Sequence, residues 1–74
     1  MIYLVTPHKH LYDEYLSSHK LSSKDTILVD SPYRLLGREI KITDNIVYFH
    51  THSFHLSVLS DIIREINIQL SLRK

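Results

Sequence analysis

The chain has no cysteine, no tryptophan, one glycine and two prolines. Without cysteine there is no disulfide staple, no thiolate metal site and no cysteine nucleophile, an absence that agrees with an intracellular setting. A single glycine excludes both familiar phosphate cradles, Gly-x-Gly-x-x-Gly and Gly-x-x-x-x-Gly-Lys-Ser/Thr, because each needs at least two. No apolar run approaches the ~20 residues that a membrane-spanning helix requires. Met1–Val5 is apolar, but it is too short and lacks the basic leader of a secretory signal. Charge of one sign is also missing, since nine basic and eight acidic side chains leave a formal net charge of +1. Nucleic-acid binders take most of their affinity from a basic excess on one face. Here the charges are interspersed, with a local excess only at Arg73-Lys74, so nucleic acid and membrane are both disfavoured as partners.

Histidine is what the chain has in quantity. Six imidazoles occur among 74 residues, and protonating all of them would add six charges to a net of +1. Charge, and with it partner affinity, would then change between roughly pH 5 and 8. The length allows one small domain, residues 1–74, which buries only roughly 60% of the surface that its unfolded form exposes.

Hydrophobic patterning gives an order of elements. Met1–Val5 is a continuous apolar run, as expected of a strand covered on both faces. Thr6-Pro7 then offers a cap and a proline suited to a first helical turn. An amphipathic helix is expected up to about Ser18, with Leu11, Tyr12, Tyr15 and Leu16 on one stripe. The polar stretch Ser17–Lys24 connects it to a second strand, Thr26–Val29. Ser31-Pro32 starts a brief helix, and Gly37 stands where a left-handed cap is needed. Arg38–Asp44 reads either as a loop with two apolar anchors, Ile40 and Ile42, or as an edge strand over 39–43. Ile46–Phe49 is the third strand. Ser53 can cap a final helix whose stripe is Leu56, Leu59, Ile62, Ile63, Ile66 and Leu70, with Arg73 and Lys74 near its carboxyl end. The pattern β-α-β-α-β-α argues for an α/β fold: a minimal three-stranded, mostly parallel sandwich with strand order 2-1-3.

Ile2–Val5, Ser31-Pro32, Leu35–Arg38 and Ile46–Phe49, taken together, resemble small Rossmann-like proteins encoded by bacteriophages, mostly of unassigned function. The resemblance implies an accessory protein of the host cytoplasm and carries over no catalytic residue. The histidine-rich segment is not a feature of that group.

Ligands of open parallel sheets bind at the carboxyl ends of the strands, where the strand order reverses. In the order 2-1-3, His8 and His10 follow the first strand, Asp30, Ser31 and Tyr33 the second, and His50, His52 and His55 the third. These eight residues form the expected rim for a partner or ligand. His50 and His52, two apart, point to one side of an extended chain. With His8 and His10 they would make a site for a divalent transition metal such as zinc, to which Asp30 could add a carboxylate. General acid–base chemistry is a further reading, with Asp30 orienting a histidine and Ser31 or Ser53 as nucleophile. Against both stands the simpler role of such groups as helix caps and solvated loop ends. Tyr3 and Tyr48 are expected in the core, Tyr12 and Tyr15 inward or at the border of the sheet, and Tyr33 exposed. Phe54 is expected to staple onto the last helix.

The sequence therefore favours a small intracellular binding or inhibitory module that acts on a larger host or cellular protein. It would carry no cofactor of its own, and it could pair as a homodimer. The alternative is a metal-dependent, hydrolase-like protein using the histidine cluster.

Overall fold

The computed structural model describes residues 1–72. Three strands, β1 (Ile2–Val5), β2 (Thr26–Val29) and β3 (Asn45–Tyr48), form one sheet in the order β2-β1-β3. Both ladders are parallel and share a register, so that Tyr3 pairs with Ile27 on one side and with Ile46 on the other. Helix α1 (Lys9–His19) connects β1 to β2, and helix α2 (Leu56–Leu72) follows β3. One-turn 3₁₀ segments lie at Pro32–Leu35 and Thr51–Ser53. This is the expected α/β sandwich, with the second helix reduced to a 3₁₀ turn.

Apart from Thr26 and Asn45 the strands are apolar, as expected of a parallel sheet with both faces covered. Alternate residues along a strand point to opposite faces. Tyr3, Val5, Ile27, Val29 and Ile46 meet Leu35, Ile40, Ile62 and Ile66 in one cluster, which Phe54, Val58, Leu59 and Leu70 flank. Leu4 points the other way and is fully buried, on the side where Leu11 and Tyr12 of α1 are buried. The Tyr12 hydroxyl donates to the Thr26 carbonyl at 2.7 Å, tying α1 to β2. Only one stripe of α2 is used: Leu56 and Ile63, expected on the core side, are exposed. Arg73 and Lys74, expected near the helix end, lie outside the described residues.

Residues 39–43 do not form a strand. The reason is the fate of Ile40, whose side chain is completely buried in the α2-side core. Its backbone N–H donates to Gln69 Oε1 of α2 at 3.1 Å instead of to a neighbouring strand. The chain then turns sharply, with Asp44 N–H bonded to the Lys41 carbonyl at 3.0 Å and Lys41 N–H bonded to Asp44 Oδ2 at 2.9 Å. Of the two expected anchors only Ile40 is one, because Ile42 is exposed.

The expected caps differ as well. Thr6 does not cap α1: it continues β1, with its N–H bonded to the Val29 carbonyl at 3.2 Å, and it is fully buried. His8 occupies the cap position instead, without a side-chain bond. Ser31 stands at the cap of the 3₁₀ turn, also without a side-chain bond. Ser53 ends the second 3₁₀ turn, and α2 begins three residues later.

At the end of α1, Leu21 N–H bonds the Leu16 carbonyl at 2.9 Å and Lys20 N–H bonds the Ser17 carbonyl. This paired closure needs a left-handed residue, normally glycine. Here Lys20 fills the position with φ 53°. Gly37 also has positive φ, at 74°, and open space around it. The two positions make opposite predictions. Lys20→Gly should raise stability by roughly 0.5–1 kcal/mol, and Gly37→Ala should lower it by about 1 kcal/mol. Urea unfolding followed by circular dichroism checks both, and a destabilised Lys20→Gly would contradict the assignment.

Tyr3 gives a second prediction. It lines a polar recess of about 330 Å³ at the amino end of the sheet, beside Met1, Ile27, Arg38 and Asp44. Burial, reinforced by Asp44 and partly offset by Arg38, holds its phenol above the ordinary tyrosine value. Below pH ~10 both folded and unfolded chains keep this proton, so it has no effect on stability. Above that pH the unfolded chain releases the proton while the folded chain retains it, and stability falls. Thermal melts at pH ~8 and ~10.5 should show a larger alkaline loss in the wild type than in Tyr3→Phe. Equal losses would remove Tyr3 as the cause.

Candidate functional site

Parallel strands end at one edge of the sheet, so the segments after β1, β2 and β3 emerge together there. Thr6 to His10 follow β1, Asp30 to Arg34 follow β2, and Phe49 to Leu56 follow β3. All five histidines of these segments are exposed. His19 belongs elsewhere, at the carboxyl end of α1, which runs back from this rim.

Within the rim the imidazoles stand in two pairs. His8 and His10 stack with ring centres 5.3 Å apart, on the residues that open α1. His50 and His52 lie 5.5 Å apart in a tilted arrangement. Among the described residues no three His, Cys, Asp or Glu side chains come close enough together to hold one metal ion. The set His8, His10, His50 and His52 is thus not gathered into one coordination sphere. His55 turns to its own helix, with Nδ1 2.8 Å from Ser57 Oγ.

Asp30 does not orient an imidazole. Its Oδ1 accepts from Arg34 Nε at 3.0 Å across one turn. That bond spans Ser31–Tyr33, and Tyr33 between its partners has 78% of its surface exposed. Leu56, at the start of α2, is equally prominent at 77%. Tyr48, expected in the core, lies half exposed at the end of the edge strand β3, and partial desolvation raises its phenol above the ordinary value. Its partner across the ladder, Val5, is fully buried, so the difference comes from edge position and not from the face it points to.

A chain of ring contacts connects this rim to α1. His19 stacks on Tyr15 at 3.9 Å, Tyr15 meets the edge of Phe49 at 5.2 Å, and Phe49 meets the edge of His50 at 4.3 Å. His52 continues the series beyond His50. The helical spacing of Tyr15 and His19 could have suggested the first contact. The Tyr15–Phe49 contact depends on β3 lying beside β1, and no local pattern carries it.

His50 has an unusual backbone. With φ 53° and ψ 40° it occupies the left-handed region, directly before the Thr51–Ser53 turn. For a side chain bearing Cβ this conformation costs ~1–2 kcal/mol, and it lets the chain reverse out of β3 within one residue. No family model, curated protein or solved structure matches this chain.

The strain at His50 is testable. His50→Gly should stabilise the fold by roughly 1 kcal/mol, because glycine adopts this conformation freely. Denaturant unfolding reads the change. A loss of stability would mean that the ring contacts with Phe49 and His52 outweigh the backbone cost.

Proposed function

We propose that this protein is a small binding module that presents the carboxyl-end rim of its sheet to a larger protein partner. The observation that carries the reading is the prominence of Tyr33 and Leu56, each more than three-quarters exposed on the segments that leave β2 and β3. Tyrosine is among the side chains that dominate protein interfaces, and Leu56 adds apolar area to the exposed surface. A free domain that leaves them in water gives up the stabilisation their burial would supply.

The surroundings support the same reading. The same rim carries polar groups as well: exposed imidazoles, Ser31 and the Asp30–Arg34 pair. Polar groups beside a few large exposed side chains are common on binding surfaces. Inhibition by occupying a partner's surface is the simplest activity open to such a module, because it asks for shape and anchors rather than for reacting groups. Residence in the cytoplasm, of a bacteriophage host if the sequence resemblance holds, belongs to the same proposal.

The test compares variants in affinity capture from the native cellular background, followed by titration calorimetry with the captured protein. Tyr33→Ala should weaken binding by about thirtyfold, the loss expected on truncating a central anchor worth ~2 kcal/mol. His50→Ala with His52→Ala should leave the circular dichroism spectrum unchanged and weaken binding less. A partner that binds Tyr33→Ala, Leu56→Ser and the double histidine variant as tightly as the wild type would remove the rim from consideration.

A further inference from the structure

We propose that the outer face of α2 is a self-association surface on which a second copy of this chain docks antiparallel, about a two-fold axis passing between Glu65 and Ile66. This surface is separate from the rim and does not rest on the rim's having a partner. The inference begins with a shallow, mostly open trough, all of it on the outer surface of α2, lined by Ser60, Ile63, Arg64, Asn67, Ile68 and Ser71. These residues fall on the side of α2 turned away from Ile62 and Ile66, which are buried against the sheet. Ile63 and Ile68 are 37% and 47% exposed there. The core therefore accounts for one stripe of the helix and leaves the other two isoleucines unexplained.

The order of the residues in the trough says what covers it. Read in either direction from the midpoint between Glu65 and Ile66, the stripe gives a polar side chain, then isoleucine, then serine. Arg64 and Asn67 are equally far from that midpoint, as are Ile63 and Ile68, and Ser60 and Ser71. In an antiparallel helix pair related by a two-fold axis, such positions come level across the interface. Ile63 of one copy then lies level with Ile68 of the second, and each serine with the other serine. A contact between identical subunits must be self-complementary in this way, whereas an unrelated partner imposes no such symmetry.

The chemistry of the levels agrees. Arg64 is a donor only, and Asn67 offers a carbonyl oxygen, so each copy supplies both the donor and the acceptor that the other needs. The Arg64 guanidinium already has Asp61 Oδ1 at 3.5 Å, which offsets the approach of two like charges near the axis. Serines at both ends of the trough allow the helix backbones to come close. The stripe spans roughly 18 Å of helix, and one helix pair of that length buries less than the ~800 Å² per partner of a standard stable interface. The dimer is accordingly a reversible one that forms at micromolar to millimolar concentration.

Sedimentation equilibrium from ~10 µM to ~1 mM should show a monomer–dimer equilibrium. Ile63→Glu, at an exposed position, should raise the dimer dissociation constant at least tenfold without altering the circular dichroism spectrum. Because the chain has no cysteine, the register can be read directly. A mixture of Ser60→Cys and Ser71→Cys chains, oxidised mildly, should cross-link mainly between the two different chains. Two Ser60→Cys chains should link poorly, because the axis holds those positions ~16 Å apart along the helices. A monomer at every concentration, a dimer indifferent to Ile63→Glu, or preferential linking of like chains would each overturn the proposal.

Discussion

The structure depends on β1 being hydrogen-bonded along both edges at once. Its neighbours are aligned to the same register, so Ile2, Tyr3, Leu4 and Val5 each sit between two partners. Ladders of four residues are short, and parallel pairing is slightly weaker per residue than antiparallel. They persist because both faces are shielded: α1 covers one, while α2 with Leu35 and Ile40 covers the other. A single residue of slip in β1 would exchange its two faces, moving Tyr3 and Val5 out of the α2-side core. The position of every rim residue follows from this arrangement, since the rim is where these strands stop.

The two ends of the sheet are finished differently. At the amino end the Ile2 and Asn45 N–H groups are used by the Asp25 and Met1 carbonyls, and the recess there is bordered by charged groups. At the carboxyl end the backbone departs in three directions, through a buried threonine, a 3₁₀ turn tied by Asp30 and Arg34, and a left-handed histidine. That divergence leaves Tyr33 and Leu56 standing out from opposite edges of the sheet. Helix α2 likewise has two characters, a buried stripe that holds the domain together and an outer stripe with a symmetry of its own.

The alternation of apolar runs with amphipathic segments carried the parallel sheet, because a strand apolar on both faces has few alternatives to one, while the central place of β1 was a choice the pattern did not dictate. The same reasoning placed the rim residues at one edge. What local patterns could not carry were the choices decided by tertiary contact. Ile40 and Ile42 look alike in sequence, and only the amide of Gln69, distant in the chain, selects the first for burial. Thr6, Ser31 and Ser53 all have the composition of caps, but the strand ladder and the two 3₁₀ turns claim their backbones before a side-chain bond can form. Leu56 and Ile63 fit the period of the α2 stripe and lie beyond the sheet's reach. The grouping of imidazoles was legible only to the level of the rim, because the pairing within it depends on how each short segment turns.

The bond from Ile40 to Gln69 carries a consequence for how the chain acquires its shape. Residues 36–44 cross the sheet on their way to β3, and the side chain that secures them comes from the far part of α2. During synthesis β1, α1 and β2 are made before α2, so at that stage they cannot bury the face that α2 covers. Partial chains are therefore left with a half-covered sheet, and folding waits for the whole of α2 to emerge. The sheet and the helix that covers its second face therefore become ordered together.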